Sequence, residues 1–242
     1  VSPYFMNNRE KFVDFIRHTF EKYAEKSNQV ITCDNIGNQN QDFGLLTHQL
    51  VAREYMNYYT PYRGLLILHS LGSGKTCTSI ALTQALTESF RSNTKIYIML
   101  PASLQSNFRE ELKKCGHALY KRNQYWEWVP NTHSHLQHIL ELMNIPDSFV
   151  KKNKGVWLVD IEKPSNFDAL SDTEKSLLNV QLDLMIEQKY TFINYNGLHT
   201  AALNKLTSNA STNLFDNSVV VIDEVHNLIS RIVNKLESDA SK

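Results

Sequence analysis

The sequence predicts an α/β protein with a mostly parallel sheet and helices on both of its faces. The first observation behind this prediction is an alternation between residues 65 and 236: short apolar runs of strand length are followed by stretches whose apolar residues recur at helical spacing. The second is a glycine-rich segment, 69-HSLGSGKT-76, between the first apolar run and the first helical stretch. Parallel strands need long crossover connections, and these helical stretches have the length to supply them.

Composition excludes several other classes of protein. The 242 residues are 42% hydrophobic and 21% charged, which is ordinary for a globular chain and excludes a disordered, collagen-like or coiled-coil protein. No run approaches the roughly 18 apolar residues of a membrane helix, so no membrane partner is expected. The three cysteines (Cys33, Cys77 and Cys115) are too few and too scattered for a disulfide scaffold, which favours a reducing compartment. The 25 basic and 25 acidic residues exclude a uniformly basic surface, although a local basic groove stays open.

Residues 1–44 predict a helical extension followed by a linker. Five apolar side chains recur at helical spacing in it: Phe12, Phe15, Ile16, Phe20 and Tyr23. Asn7 and Asn8 are candidate N-caps for this helix. Residues 27–44 are rich in Asn, Gln and Gly, as linkers are.

The remaining chain, 45–242, predicts one domain of alternating elements. We expect strands at 65–68, 95–100, 156–161, 190–195 and 219–222. We expect helices at 45–59, 75–90, 104–115, 171–189 and 226–236. Ser171 and Glu174 have capping-box spacing at the start of one helix, whose apolar face carries Leu178, Leu182 and Met185. Residues 116–170 predict an insertion, helical around 133–143.

The glycine-rich segment has the features of a phosphate-binding loop. Gly72 and Gly74 let the backbone bend, so that the amides of this stretch, including that of Ser73, point into one concavity at a helix N-terminus. Lys75 would place its charge on the β- and γ-phosphates, and Thr76 would give its hydroxyl to a bound magnesium ion. The loop therefore predicts ATP and Mg²⁺ as cofactors.

A second motif, 223-DEVH-226, follows the apolar run 219-VVVI-222. Asp223 would hold magnesium, and Glu224 would polarise the attacking water as a general base. Neighbouring side chains at a strand end diverge, so the two carboxylates can perform different tasks. With Lys75, this pair predicts an ATP hydrolase.

Together these motifs resemble superfamily 2 helicases and translocases, which implies a RecA-like motor domain. The resemblance implies that Gln49, in 46-LTHQLVA-52, reads the adenine edge. His69 departs from the family pattern, which has Gly or Ala at that position.

Two further segments resemble the nucleic-acid-facing motifs of the superfamily. The segment 101-PASLQSNFREELKK-114 implies a phosphate contact from Ser103. The segment 192-FINYNGL-198 implies contacts from Asn194, Tyr195 and Asn196. Small basic clusters such as Lys113-Lys114 and Lys121-Arg122 are expected to be solvated surface, with some lining a DNA path.

A narrower resemblance links the chain to helicase-like ATPases of large nucleocytoplasmic DNA viruses. It depends on the strings HSLGSGKTCTSIA, PASLQSNF, FINYNG and VIDEVHNLISRIVNKL, and it runs from about 43 to 236. Among these ATPases are the small subunit of the poxvirus early transcription factor and nucleoside triphosphate phosphohydrolase I, which the sequence does not separate. The resemblance implies DNA-dependent ATP hydrolysis in early viral transcription, on duplex DNA or a transcription bubble. It also implies an RNA polymerase and a second transcription-factor subunit as partners, and the virion and cytoplasmic viral factories as locations.

Superfamily 2 motors have two RecA-like domains, and we expect this chain to contain only the first. The expected consequence is that the segment binds ATP and magnesium but hydrolyses ATP slowly, because the second domain supplies an arginine to the transferred phosphate. Two alternatives stay open. One is another superfamily 2 translocase, of the chromatin-remodelling or restriction type. The other is a structural protein of a virion or polymerase assembly that reuses the fold.

Overall fold

A computed structural model describes residues 9–27, 45–56, 62–70, 72–89, 94–132, 136–198, 200–209 and 211–240. The chain divides into two compact units, Val1–Phe90 and Arg91–Lys242. The phosphate loop lies in the first unit and the carboxylate pair in the second. The predicted boundary between an extension and a motor domain at residue 44 stays a prediction. No helix in the described ranges is long and apolar enough to cross a membrane.

Three helices make up the described secondary structure of the first unit: α1 (Arg9–Ser27), α2 (Thr47–Tyr55) and α3 (Lys75–Ser89). Helix α1 packs on α2 through polar contacts to one carboxylate. The Tyr23 hydroxyl donates to Glu54 Oε1 over 2.5 Å, and Lys22 Nζ lies 2.8 Å from Glu54 Oε2.

The apolar side chains predicted for α1 are buried or half-buried, which confirms its amphipathic pattern. Its candidate caps, Asn7 and Asn8, lie outside the described residues.

The predicted strand at 65–68 is wrong. Residues 62–70 form no helix or strand, and the side chains of Leu65, Leu66 and Leu68 are 41%, 67% and 83% exposed. An apolar run favours a strand only where a neighbouring strand accepts its backbone hydrogen bonds, and local sequence does not specify that neighbour. The helix that follows the loop begins at Lys75, as predicted.

The described residues of the second unit form five strands: β1 (Lys95–Leu100), β2 (Tyr125–Pro130), β3 (Gly155–Asp160), β4 (Tyr190–Asn194) and β5 (Ser218–Ile222). Its helices are α4 (Gln105–Cys115), α5 (Leu136–Met143), α6 (Asp147–Asn153), α7 (Asp172–Lys189), α8 (Thr200–Leu206) and α9 (Val225–Ala240). Strands β4, β1 and β5 form a parallel sheet in that order. This confirms the predicted α/β class with a mostly parallel sheet.

Alternate side chains of this sheet pack against different helices. On one face, Phe108 of α4 meets the ring of Phe192 edge to face, with ring centroids 6.1 Å apart, within the range that such pairs prefer. On the other face, Leu228 of α9 packs against a buried cluster of Tyr97, Met99, Ile193 and Tyr195. Because strand side chains alternate, both faces of β1 are covered, and five of its six residues are buried.

The insertion folds around a second, two-stranded sheet. Strands β2 and β3 pair antiparallel, with Trp128 opposite Trp157. The strand predicted at 156–161 is therefore present as β3, within the range predicted as an insertion. Its partner β2 precedes it along the chain and does not belong to the parallel sheet. Helix α7 holds this two-stranded sheet: the Gln181 side chain accepts from Trp157 N–H (2.8 Å) and donates to Trp157 C=O (2.7 Å).

Helix α7 also has the predicted cap and apolar face. Ser171 and Glu174 form a capping box, and Leu178, Leu182 and Met185 are fully buried. Its polar side joins α4 through charges: Lys113 Nζ lies 2.8 Å from Asp183 and 3.0 Å from Glu110.

Lys113 is therefore a buried ion-pair partner (3% exposed), which corrects the expectation of a solvated basic cluster at that position. Arg122 likewise pairs with Glu110, at 2.7 Å.

Candidate nucleotide and nucleic-acid site

The phosphate loop has the backbone geometry that its glycines predict. Gly72 and Gly74 both have φ of +77°, in the left-handed region that favours glycine. Gly74 has a second constraint, because a Cβ on it would lie 2.5 Å from Gln49 Nε2. Helix α3 begins at the next residue, so its first unpaired amides adjoin the loop. This arrangement suits a phosphate group.

Lys75 lies across the loop it follows. Its Nζ donates to the carbonyl oxygens of His69 (3.4 Å) and Ser70 (3.3 Å). Both bonds are long, and a phosphate oxygen is a stronger acceptor for an ammonium group than a carbonyl oxygen. Lys75 is therefore placed to exchange these weak contacts for a phosphate.

Gln49 connects helix α2 to the loop. Its side chain is buried (3% exposed), accepts from Leu46 N–H over 2.9 Å and donates to Gly74 C=O over 3.2 Å. In the same unit, His48 Nε2 lies 3.0 Å from the carbonyl oxygen of Ser73. Two consecutive residues of α2 thus hold two consecutive carbonyl groups of the loop.

His69, which departs from the family pattern, packs edge-on against His48 with ring centroids 5.0 Å apart. Partial burial, with His48 and the Lys75 ammonium nearby, lowers the pKa of His69. The imidazole is therefore neutral near pH 7, and the start of the loop gains no positive charge from it.

The second unit gathers the other predicted residues at one edge of its sheet. Leu100 is in register with Asn194, and Met99 with Ile222, so the carboxyl ends of β4, β1 and β5 align. Asp223 follows directly, and its N–H donates to Met99 C=O over 2.9 Å. Ligand-binding residues of parallel α/β sheets collect at this edge.

The carboxylate pair occupies a tight turn between β5 and α9. Glu224 has φ of +50°, which a non-glycine residue adopts at a cost of about 1–3 kcal/mol. Its N–H donates to Asp223 Oδ1 over 3.1 Å, and its carboxylate lies 3.3 Å from His226 Nδ1. Such strained residues cluster at functional sites, where surrounding contacts hold them.

A family profile described as “Type III restriction enzyme, res subunit” matches residues 22–241. The match includes the phosphate loop, the carboxylate pair and all five strands. The chain belongs to this family of superfamily 2 helicase-like proteins.

Curated relatives point to the same superfamily. A “Putative ATP-dependent RNA helicase” of Acanthamoeba polyphaga mimivirus is 31% identical over 229 residues, which are 94% of this chain and 31% of that protein. A second mimivirus protein of the same description is 25% identical over 213 residues, 83% of this chain and 16% of its own length. A “Putative helicase” of Invertebrate iridescent virus 3 is 23% identical over 194 residues, 76% of this chain and 15% of its own length. The chain thus spans about a third or less of these relatives. No solved structure matches it.

These findings confirm the resemblance to helicase-like proteins of large nucleocytoplasmic DNA viruses. The finer resemblance to two poxvirus proteins stays a prediction. For this helicase-like domain, the oxygen ligands predicted for magnesium also fit the ion, since Mg²⁺ prefers hydroxyl and carboxylate oxygens such as those of Thr76 and Asp223.

The predicted nucleic-acid residues fall into two groups. Ser103 lies in a short helical turn after β1, Asn194 is the last residue of β4, and Asn196 lies in the turn that follows β4. All three are exposed at the carboxyl edge of the sheet. Tyr195 is different, because only 1% of its side chain is exposed. In this conformation Tyr195 is therefore not accessible to nucleic acid.

The Tyr195 side chain points to the carboxylate turn. Its hydroxyl donates to the carbonyl oxygens of Asp223 (3.2 Å) and Glu224 (3.1 Å). Burial raises the pKa of Tyr195, although a hydrogen bond from Asn227 opposes the shift, so the hydroxyl keeps its proton near pH 7.

Two residues that hold backbone segments of the candidate site were not predicted from the sequence: Arg231 and His48. Arg231 of α9 donates from Nη1 to the carbonyl oxygens of Tyr195 (3.0 Å) and Asn196. The available signal was its position three residues after Leu228, on the side of α9 that packs inward. His48 carried no comparable signal, because its bond to the loop depends on how α2 and the loop pack.

Proposed function

We propose that this helicase-like domain binds ATP with magnesium and hydrolyses ATP when nucleic acid is bound. The observation that carries the proposal is the phosphate loop, in which Gly72 and Gly74 have positive φ and Lys75 lies across the concavity at the start of α3. An inert scaffold has no need of a lysine placed across such a concavity. Membership of a helicase-like family supports the same activity.

Each side chain has a distinct role in the proposed reaction. Lys75 binds the β- and γ-phosphates, and Thr76 contributes its hydroxyl to magnesium. Asp223 holds the ion, usually through water, and Glu224 takes a proton from the attacking water. Magnesium supplies charge neutralisation at the phosphates. Gln49 positions the loop in the structure, and its proposed contact with the adenine edge uses the remaining hydrogen-bonding capacity of its amide.

We also propose the biological setting that the viral resemblance implies. The motor acts on DNA during early viral transcription, beside an RNA polymerase and a second transcription-factor subunit. It is located in the virion and in cytoplasmic viral factories. The mimivirus relatives are described as RNA helicases, which makes RNA the competing substrate.

The decisive experiment compares the full-length protein with its Lys75→Ala variant. We expect the variant to lose nucleotide binding and nucleic-acid-stimulated hydrolysis, because no other cation on this loop replaces the ammonium group. Lys205→Ala, at an exposed position on α8, is the matched control and should keep both activities. Unchanged hydrolysis in Lys75→Ala would contradict the motor proposal and favour a structural role.

The same assay separates the candidate nucleic acids. Duplex DNA, single-stranded DNA and single-stranded RNA are each titrated against ATP hydrolysis. DNA is expected to stimulate more strongly than RNA, and the reverse order would favour an RNA motor.

The restriction-enzyme description of the family favours a second candidate, a translocase on duplex DNA. Translocation without unwinding displaces a third strand from duplex DNA but leaves the two duplex strands paired. A triplex-displacement assay beside a strand-separation assay distinguishes this activity from that of a helicase.

A final expectation concerns residues 1–242 alone. We propose that they bind ATP and magnesium but hydrolyse ATP very slowly, because an arginine from a second motor domain is worth about 10³–10⁵ in rate in related systems. Hydrolysis by the purified segment at the rate of the full-length protein would contradict this proposal.

A further inference from the structure

The turn after β4 and the turn after β5 are joined by hydrogen bonds that run in both directions. Tyr195 donates forward to the carbonyl oxygens of Asp223 and Glu224. Arg231 donates back to the carbonyl oxygens of Tyr195 and Asn196. We call this set of four bonds the Tyr195–Arg231 brace.

At the carboxylate end, the brace holds a turn that needs support. Glu224 has positive φ, so the turn relaxes unless surrounding contacts fix it. The Tyr195 hydroxyl carries one hydrogen, which is shared between two successive carbonyl oxygens. The hydroxyl therefore constrains the turn as a whole, and it does so from a buried position beside Met99 and Ile193.

At the other end, the brace holds the segment with the exposed asparagines. The Asn194 side chain accepts from Asn196 N–H over 3.0 Å, so these two residues form one local turn. Arg231 binds the carbonyl oxygen of Asn196 directly. A ligand that moves this turn therefore has to move Arg231, Tyr195 or both.

The two ends are connected by rigid parts. Arg231 lies less than two helical turns after Val225, where α9 begins. Asn227 N–H donates to Glu224 C=O over 3.0 Å in the first turn of that helix. A displacement of Arg231 is thus carried along α9 to the residue that follows the carboxylate pair.

We propose that Tyr195 and Arg231 are positioning residues that couple nucleic-acid contact at Asn194 and Asn196 to the conformation of Asp223 and Glu224. This inference rests on the proposed function. Neither side chain touches nucleotide or nucleic acid; each acts through the turn that it holds.

The first test measures the turn itself and needs no enzymatic activity. Tyr195→Phe removes one oxygen atom and keeps the buried ring. We expect the amides of Asp223 and Asn227 to exchange with deuterium about fivefold faster, as the loss of one hydrogen bond of ordinary net strength predicts. Tyr97→Phe makes the same change in the same buried cluster and should leave these amides unaffected. If the amides of Asp223 and Asn227 exchange at the same rate in both variants, the Tyr195 hydroxyl does not hold the turn and the brace is overturned.

The second test measures coupling in the full-length protein. We compare kcat for ATP with and without nucleic acid, together with the KM for ATP and the Kd for nucleic acid. Tyr195→Phe should lower the stimulation ratio several-fold, while the KM and the Kd change by less than about twofold. A general loss of folding would instead lower the basal rate and the stimulated rate together.

The outcomes separate this inference from the proposed function. Stimulation by the same factor in the wild type, Tyr195→Phe and Tyr97→Phe would overturn the coupling and leave the motor intact. A wild-type protein that hydrolyses no ATP would overturn the motor and the coupling with it.

Arg231→Lys provides a second route if Tyr195→Phe does not fold. It keeps the charge, but its ammonium group ends one bond short of Nη1, the single nitrogen that donates to both carbonyl oxygens. The same fall in stimulation is expected, and an unchanged ratio would again overturn the coupling.

Discussion

The side-chain amide of Gln49 donates a hydrogen bond to the carbonyl oxygen of Gly74 over 3.2 Å. This bond joins helix α2 to the phosphate loop one residue before the lysine. The loop is therefore held from outside, by a residue 25 positions earlier in the chain, as well as by its own glycines. Nucleotide affinity should then depend on α2 as much as on the loop sequence.

Gly74→Ala tests the close approach of these two residues. The new Cβ would lie 2.5 Å from Gln49 Nε2, in a backbone conformation that costs a non-glycine residue about 1–2 kcal/mol. We expect weaker ATP binding in a nucleotide titration and a lower free energy of unfolding in urea. Gly64→Ala is the control, because nothing lies within 4 Å of its added Cβ. If both variants bind ATP like the wild type, the loop does not need this geometry.

Gln49→Glu tests the hydrogen bond and the local charge together. A carboxylate cannot donate to Gly74 C=O, and it places negative charge beside the proposed phosphate site. ATP affinity should fall at least tenfold, about 1.4 kcal/mol, by isothermal titration calorimetry. The same substitution at the exposed Gln188 should have no effect. Wild-type affinity in Gln49→Glu would show that α2 does not hold the loop during binding.

Gln181→Leu tests the link between α7 and the insertion. Gln181 is fully buried and binds both backbone groups of Trp157. Leucine fills the space but leaves an N–H and a C=O unpaired, at about 1–3 kcal/mol each. Urea unfolding should show a loss of about 2–6 kcal/mol, whereas Gln188→Leu on the exposed side of α7 should not. A loss below about 1 kcal/mol, the lower bound for one unpaired group, would argue against the bond pair.

Acid stability depends in part on Glu110. Burial alone would raise its pKa, but hydrogen bonds from Arg122 and Lys113 outweigh burial and lower the pKa of Glu110 below its ordinary value of 4.5. Its stabilisation is therefore fully present above that value and is lost as the pH falls through the lowered pKa.

Thermal unfolding should thus show a falling Tm below about pH 4.5. Glu110→Gln should lower the Tm at pH 7 and flatten this acid decline. The exposed Glu127→Gln on β2 should keep the wild-type profile. If the Tm of Glu110→Gln falls in acid as that of the wild type does, other carboxylates cause the decline.

Patterns within a few residues were sufficient to predict most elements. The apolar run at β1 and the capping box at Ser171 are local features, so both strand and helix begin where the sequence indicates. The glycines of the phosphate loop are local in the same sense, since positive φ at Gly72 and Gly74 follows from the loop type. Local patterns were less able to predict which strands pair when the strands are distant in the chain. The run at 65–68 looks like β1 in composition, yet it forms no strand.

The sequence by itself determined the fold class, the phosphate loop and the carboxylate pair, because spacing and residue type encode local backbone preferences. Only the tertiary structure decided which strand pairs with β3 and which way Tyr195 faces. The alternation of side chains along β4 continues into the turn and places Tyr195 in the same buried cluster as Ile193. The segment 192–198, which the sequence predicts to contact nucleic acid, thus contains Tyr195. The hydroxyl of that residue instead donates hydrogen bonds to the turn at Asp223 and Glu224. Burial depends on neighbours that are distant in the chain, and local sequence does not encode it.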